Sequence, residues 1–164
     1  MSKIKNIVNF GMLIALYVVL SEAFHIPLPL AGNKWFDLGY IVFGVAIVLY
    51  GNYGIIVGVL GVLIENILFS GFISISWMVG QVIIGIFCSY AFTKCEKVPI
   101  TIIIACLSCF IGIGVVKTLI EVSLGYGIFE VKFISNTITS FADCVPLLIG
   151  YFVSKKMKKS FTII

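Results

Sequence analysis

The 164-residue sequence has no arginine, one histidine and seven acidic residues, and charged side chains make up 11% of it. So little charge excludes an ordinary soluble domain. With four prolines and no long hydrophilic or low-complexity run, there is no linker that would divide the chain into domains. The phosphate-binding pattern G-x-x-x-x-G-K-[ST], the zinc pattern H-E-x-x-H and the nucleophile pattern G-x-S-x-G are all missing. No two carboxylates stand close on one helix to hold a catalytic metal, and one histidine, His25, makes no metal site. The chain reads as a non-enzyme, without catalytic residues, metal or cofactor.

What is present is oil. Hydrophobic residues make up 61% of the chain and the mean hydropathy is +1.21, so lipid is the solvent in which to reason. Apolar runs between polar punctuation place spans near 5–23, 36–50, 54–71, 73–93, 98–123 and 134–153. This predicts an all-α membrane protein of six transmembrane helices in one domain, 1–164. The second and third spans are separated only by Gly51-Asn52-Tyr53-Gly54, a turn signal compatible with a tight helical hairpin. Long continuous runs argue against a spanning barrel, which needs many short alternating segments.

Lysine sets the orientation. Lys3 and Lys5 precede the first span, Lys94 and Lys97 lie between the fourth and fifth, and Lys155, Lys156, Lys158 and Lys159 follow the last. Only Lys34 and Lys132 fall in the alternate loops, which predicts both termini on the cytoplasmic side. The first span resembles a signal peptide but has no small-x-small cleavage site, so it is expected to stay. The basic tail fits a topology anchor or contact with anionic lipid, and lacks the interleaved aromatics of a nucleic-acid surface. Cys88, Cys95, Cys106, Cys109 and Cys144 fall in spans or on the cytoplasmic side, where disulfides are not expected, and the Cys106-x-x-Cys109 pair reads as helix packing.

Against this background a few polar residues stand out. Lys117, Glu121 and Asp143 interrupt spans, and intramembrane ionisable residues are functional by default. At a rise of about 1.5 Å per residue, Lys117 lies about 9 Å and Glu121 about 3 Å inside the outer end of the fifth helix, with Asp143 about 14 Å and Gln81 about 12 Å deep. Asn136 and Ser140 occupy the first turns of the sixth helix, Glu65 and Asn66 the last turns of the third, and Glu22 the end of the first. Trp77, Tyr126, Trp35 and Phe36 put aromatic surfaces near the same level. The inner halves of these helices are nearly pure Ile, Val, Leu, Phe, Gly and Ala, so the pattern describes a solute pocket open outside and closed below. The bland alternatives are specific. Lys117 and Glu121 stand i,i+4 and could neutralise each other; Trp77, Trp35 and Tyr126 could be interfacial anchors; Glu22 and Glu65 could be solvated. Asp143 is harder to dismiss, since a central carboxylate costs about 2.5–3.5 kcal/mol on insertion scales, although Lys117 could pair with it.

The first helix from Gly11-Met12-Leu13-Ile14-Ala15-Leu16-Tyr17 to Leu20, the segment Asp37-Leu38-Gly39-Tyr40, the hairpin Tyr50-Gly51-Asn52-Tyr53-Gly54 and on to Gly61, and the acidic helix end Glu65-Asn66 form a pattern along the chain. That pattern resembles the substrate-binding S component of energy-coupling-factor (ECF) vitamin transporters. It implies an ECF S-component-like bundle in a bacterial-type cytoplasmic membrane, which captures a micronutrient at its outer face. A transmembrane coupling subunit and two cytoplasmic ATPases would then drive release as the subunit topples. Small residues spaced Ala-xxx-Ala on the first helix dock such proteins; here the pair is Gly11-xxx-Ala15, whose alternative is packing within the chain. The loop from Glu22 to Trp35, stiffened by Pro27 and Pro29, would be a lid. The ligand implied is a small planar vitamin or modified-base precursor, with Trp77 stacking and Gln81, Lys117, Glu121, Asn136, Ser140, Asp143, Glu65, Asn66, Tyr126 and Trp35 around it. More acids than lysines there hint at a neutral or cationic molecule. Two other classes remain: a non-transporting scaffold of the cell-shape type, and a proton-coupled carrier using Lys117, Glu121 and Asp143 as a relay.

Overall fold

The computed structural model describes the backbone of residues 3–23, 26–27 and 35–161, and the side chains of 7–23 and 36–157. His25, Pro29 and Lys34, the side chains of Pro27 and Trp35, and those of Lys3, Lys5, Lys158 and Lys159 lie outside the described residues. The lid and ligand-contact expectations that rest on them lie outside too.

Helix α1 covers Lys3–Ala23, α2 Gly39–Tyr50, α3 Ile55–Glu65, α4 Ile75–Lys94, α5 Val98–Cys109, α6 Thr118–Ser123 and α7 Phe129–Phe161. A 3-10 turn, Gly51–Gly54, joins α2 to α3; a π turn, Asn66–Ser70, prolongs α3; and a π segment, Phe110–Lys117, makes α5 and α6 one continuous rod. Between α1 and α2, β1 (Ile26–Pro27) pairs antiparallel with β2 (Trp35–Phe36). This two-residue pairing is the one departure from an all-helical chain among the described residues.

Four stretches are long and apolar enough to cross a membrane, 39–70, 75–94, 98–123 and 129–157, with 7–23 as a shorter apolar helix. The expected separate second and third spans, 36–50 and 54–71, fall inside the first of these, yet that stretch is not straight. A methyl added at Gly54 would come within 2.6 Å of the Ala46 carbonyl, and one at Gly58 within 2.6 Å of the Phe43 ring. In a straight helix residues 46 and 54 would stand about 12 Å apart, so the chain reverses here and α2 lies against α3. Gly51, at φ 59°, supplies the left-handed residue that turns it. The last helix outruns its expected bounds, 134–153, at both ends. Beyond Gly150 the basic tail holds no glycine or proline, and Lys and Met are good helix formers.

The bundle is turned inside out relative to a soluble protein. Ile7, Met12, Val19, Phe69, Ile86, Leu119 and Phe141 are exposed, while Gln81, Lys117, Asn136 and Asp143 are fully buried. Lipid explains both, since apolar side chains cost nothing there and polar ones must find partners inside the protein. At the end opposite the polar cluster, Phe43, Ile47, Val57, Ile84, Cys88, Leu147 and Tyr151 make an apolar core. The Cys106 and Cys144 thiols, 3.4 Å apart, link α5 to α7 nearby.

Glycine sets how closely the helices approach. Gly44 on α2 packs on the Leu147 carbonyl of α7, and Gly150 on α7 packs on the Ile41 carbonyl of α2. With backbones this near, neither position admits a Cβ without parting the two helices. Gly150→Val should therefore cost about 1–3 kcal/mol. Thermal unfolding in detergent should show a clear loss of stability for Gly150→Val and none for Gly11→Ala, because among the described residues no atom lies within 4 Å of a Cβ added at Gly11.

Candidate functional site

A cavity of about 860 Å³ opens at one end of the bundle. Its wall combines the end of α1 (Ser21, Glu22), the entry to α2 (Asp37), the end of α3 (Val62, Glu65, Asn66), the start of α4 (Ser76, Trp77), α6 (Glu121) and α7 (Lys132, Thr139, Asp143). Helix ends bring these together because alternate helices run in opposite directions, so residues far apart in sequence share one level. Two π segments adjoin the wall, one beginning at Asn66 and one ending at Lys117. A π turn inserts a residue, which rotates whatever follows by about 100° relative to an uninterrupted helix.

Lys117 organises one side of the site. Its ammonium donates to Asn136 Oδ1 at 2.7 Å, pairs with Glu121 Oε1 at 3.1 Å and lies 4.2 Å from the centre of the Trp77 ring. Asn136 in turn donates from Nδ2 to Thr118 Oγ1 at 2.9 Å and Glu121 Oε2 at 3.2 Å, and Lys132 reaches Glu121 Oε2 at 3.4 Å. The i,i+4 pairing of Lys117 with Glu121 is thus real, but it is one part of a network linking α4, α6 and α7. The opposite side centres on Asp37. Its Oδ1 accepts from the Ser21 hydroxyl at 2.6 Å and the Gly39 N–H at 2.7 Å, which closes the start of α2. Its Oδ2 accepts from the Tyr17 hydroxyl at 3.2 Å, and its own N–H donates to Asp143 Oδ1 at 3.2 Å, bridging to α7.

Of the residues expected at the site, Trp77, Glu121, Asp143, Glu65, Asn66 and Tyr126 line the cavity. Lys117 and Asn136 stand behind the wall, fully buried. Gln81 does not reach the cavity: it is buried and donates to the Tyr17 hydroxyl at 3.3 Å, so it acts through Tyr17 and Asp37. Ser140 also turns away, donating to the Thr137 carbonyl of its own helix at 2.7 Å. Residues the sequence reading missed are Tyr17, Ser21, Asp37, Lys132 and Thr139. Asp37 had a signal, a carboxylate two residues before an apolar helix; Tyr17 and Ser21 look like ordinary members of an apolar helix and had none. Gly11 and Ala15 lie elsewhere, on an apolar groove with Ile14, Val18, Val19, Ile64 and Leu68.

Because Lys117 is fully enclosed, removing it leaves Glu121 short of a partner in a low-dielectric setting. Losing one member of a buried pair costs about 3–5 kcal/mol. Lys117→Met should therefore lower thermal stability sharply, and the double variant Lys117→Met/Glu121→Gln should recover part of the loss. A double-mutant cycle by thermal unfolding measures that coupling; strictly additive losses would show the two side chains to be independent.

The profile of the ECF-type riboflavin transporter S component family matches residues 1–159. Comparison with curated proteins returned no match, and comparison with solved structures returned none. The match takes in every element that walls the cavity and the helix that carries the apolar groove. The chain belongs to the ECF-type riboflavin transporter S component family, and is a non-catalytic, substrate-binding, multi-pass subunit of an ECF transporter in the plasma membrane.

Proposed function

We propose that the cavity is the capture site for a small planar micronutrient, that it faces the exterior, and that the cargo passes inward through a coupling protein driven by two ATPases. The observation that carries this reading is the cavity itself, whose volume of about 860 Å³ falls among those of small-molecule sites, about 300–1,000 Å³. Polar side chains share its wall with apolar ones such as Phe72, Ile73 and Leu124, and the apolar core closes it beneath, the form of a receptor and not of a channel. A proton relay would need titratable groups across that core, and the Lys117 network instead closes on itself at the cavity end.

The orientation follows from charge. Lys94 and Lys97 flank the α4–α5 turn and Lys155 and Lys156 lie near the end of α7, all opposite the cavity, which supports a cytoplasmic position for that end by the positive-inside rule. With α2 and α3 counted as two arms of a hairpin, the bundle crosses six times as one domain and both termini are cytoplasmic. In the cavity, Trp77 offers a ring for stacking, while Glu65, Asn66, Glu121, Asp143 and Tyr126 offer polar contacts; Lys117, Asn136 and Gln81 position them. The coupling protein docks along Gly11 and Ala15. Both are exposed, and the added-Cβ position at Gly11 meets none of the other described residues, so a second helix has room to approach.

Two measurements test the proposal. Native mass spectrometry of the chain purified from expressing cells should show a retained small molecule that is lost in Trp77→Ala; a wild-type chain carrying none would argue against capture. Gly11→Leu/Ala15→Leu should reduce copurification of the coupling protein and ATPases at least tenfold while the retained molecule stays bound. Undiminished copurification would move the docking face elsewhere.

A further inference from the structure

We propose that Asn66 is a specificity-determining donor of the cavity, giving its side-chain N–H to a ring carbonyl oxygen of an uncharged planar ligand; this rests on the capture reading above. Asn66 lines the cavity and is 7% exposed, yet its amide nitrogen has no hydrogen-bond partner among the described residues. The other buried donors without a partner there, the hydroxyls of Tyr40 and Thr137, do not line the cavity. Neighbouring polar groups are already engaged. Glu121 is held by Lys117, Lys132 and Asn136, Asp37 by Tyr17, Ser21 and Gly39, and Ser76 pairs with Ser74. Asn66 is thus the buried donor that the wall leaves open.

Its place on the helix aims it inward. Val62, Asn66 and Ser70 recur at every fourth residue and all line the cavity, whereas Ile67, Leu68 and Phe69 between them are exposed on the outside of the bundle. A π segment begins at Asn66, and such segments are frequent at functional sites. A buried donor without a partner carries a desolvation penalty, which an acceptor on a bound molecule removes. A ring carbonyl does so without any charge on the ligand. Its oxygen accepts close to the ring plane, which leaves the ring face for Trp77 in the same cavity. An analogue with a poor acceptor at that position would bury the Asn66 N–H unpaired, the way a site built around one hydrogen bond rejects close mimics.

The test titrates the full chain in lipid nanodiscs with riboflavin, 2-thioriboflavin and 4-thioriboflavin, by equilibrium dialysis read out by absorbance. Each thio compound replaces one ring carbonyl oxygen with sulfur, a weaker acceptor, and leaves the ring uncharged. The wild-type chain should bind one of the two about tenfold or more weakly than riboflavin. In Asn66→Leu, riboflavin itself should bind about tenfold or more weakly, and the preference for oxygen over sulfur should disappear. Asn66→Ala, the second variant, should lose the same preference. Without ligand, Asn66→Leu should unfold at the wild-type temperature or above it, because no hydrogen bond is lost. A marked drop would make Asn66 a structural residue and overturn the proposal. An oxygen preference that is absent from the wild type, or that survives in either folded variant, also overturns it and leaves capture standing. If the wild type binds no riboflavin, the molecule retained from expressing cells decides. An uncharged ring bearing a carbonyl, whose retention falls about tenfold in Asn66→Leu, supports the proposal. Any other molecule, or undiminished retention, overturns it; no retained molecule at all removes the capture reading as well.

Discussion

A lysine ammonium sealed among helices in lipid must find its partners within the protein, and around Lys117 that requirement has shaped the bundle. Its contacts with Asn136, Glu121 and Trp77 tie α4, α6 and α7 at a single depth. Water cannot substitute for a missing partner there, so helix position and rotation are constrained by donor and acceptor geometry as well as by packing. Asp37 plays the matching part across the cavity. It joins α1 to the start of α2 through side-chain hydrogen bonds and reaches α7 through its backbone. The cavity is the space left between these two anchored groups.

What lets the groups meet is the close approach of backbones elsewhere. Small residues at Gly44 and Gly150 bring α2 against α7, and Gly80 and Gly112 do the same for α4 and the π segment after α5. Apolar side chains give little drive for helix association in lipid, so shape and van der Waals contact carry it. The same economy explains the exposed exception. Gly11 and Ala15 present small residues to an apolar groove that no other described residue fills, apart from the cavity. On the proposed reading, capture and coupling occupy different surfaces of one small bundle, which suits a subunit that is itself non-catalytic.

The two sides of the cavity differ in electrostatic character. Lysines hold Glu121, while neutral donors hold Asp37. An asymmetry of this kind gives the two walls different hydrogen-bonding character, and a few placed polar groups of that sort fix the orientation of what a cavity holds. Trp77, with the Lys117 ammonium over its ring, sits where the two sides meet at the start of α4.

From the sequence alone came the lipid environment, the helical class, the hairpin at Gly51 to Gly54, the family resemblance, and the gathering of Trp77, Glu65, Asn66, Glu121, Tyr126 and Asp143 at one end. All of these follow from quantities that are linear along the chain: hydropathy, run length, lysine spacing and depth at a fixed rise per residue. Tertiary structure alone decided direction around each helix axis. Gln81 and Ser140 were placed at plausible depths yet turn to Tyr17 and to the backbone of α7, while Tyr17, Ser21 and Asp37 enter the site from segments that gave little sign of it. Two π segments rotate the residues that follow them, and side-chain partners on other helices select which face looks inward. Depth is a property of one strand of sequence; facing is a property of neighbours, and those exist only once the bundle has formed.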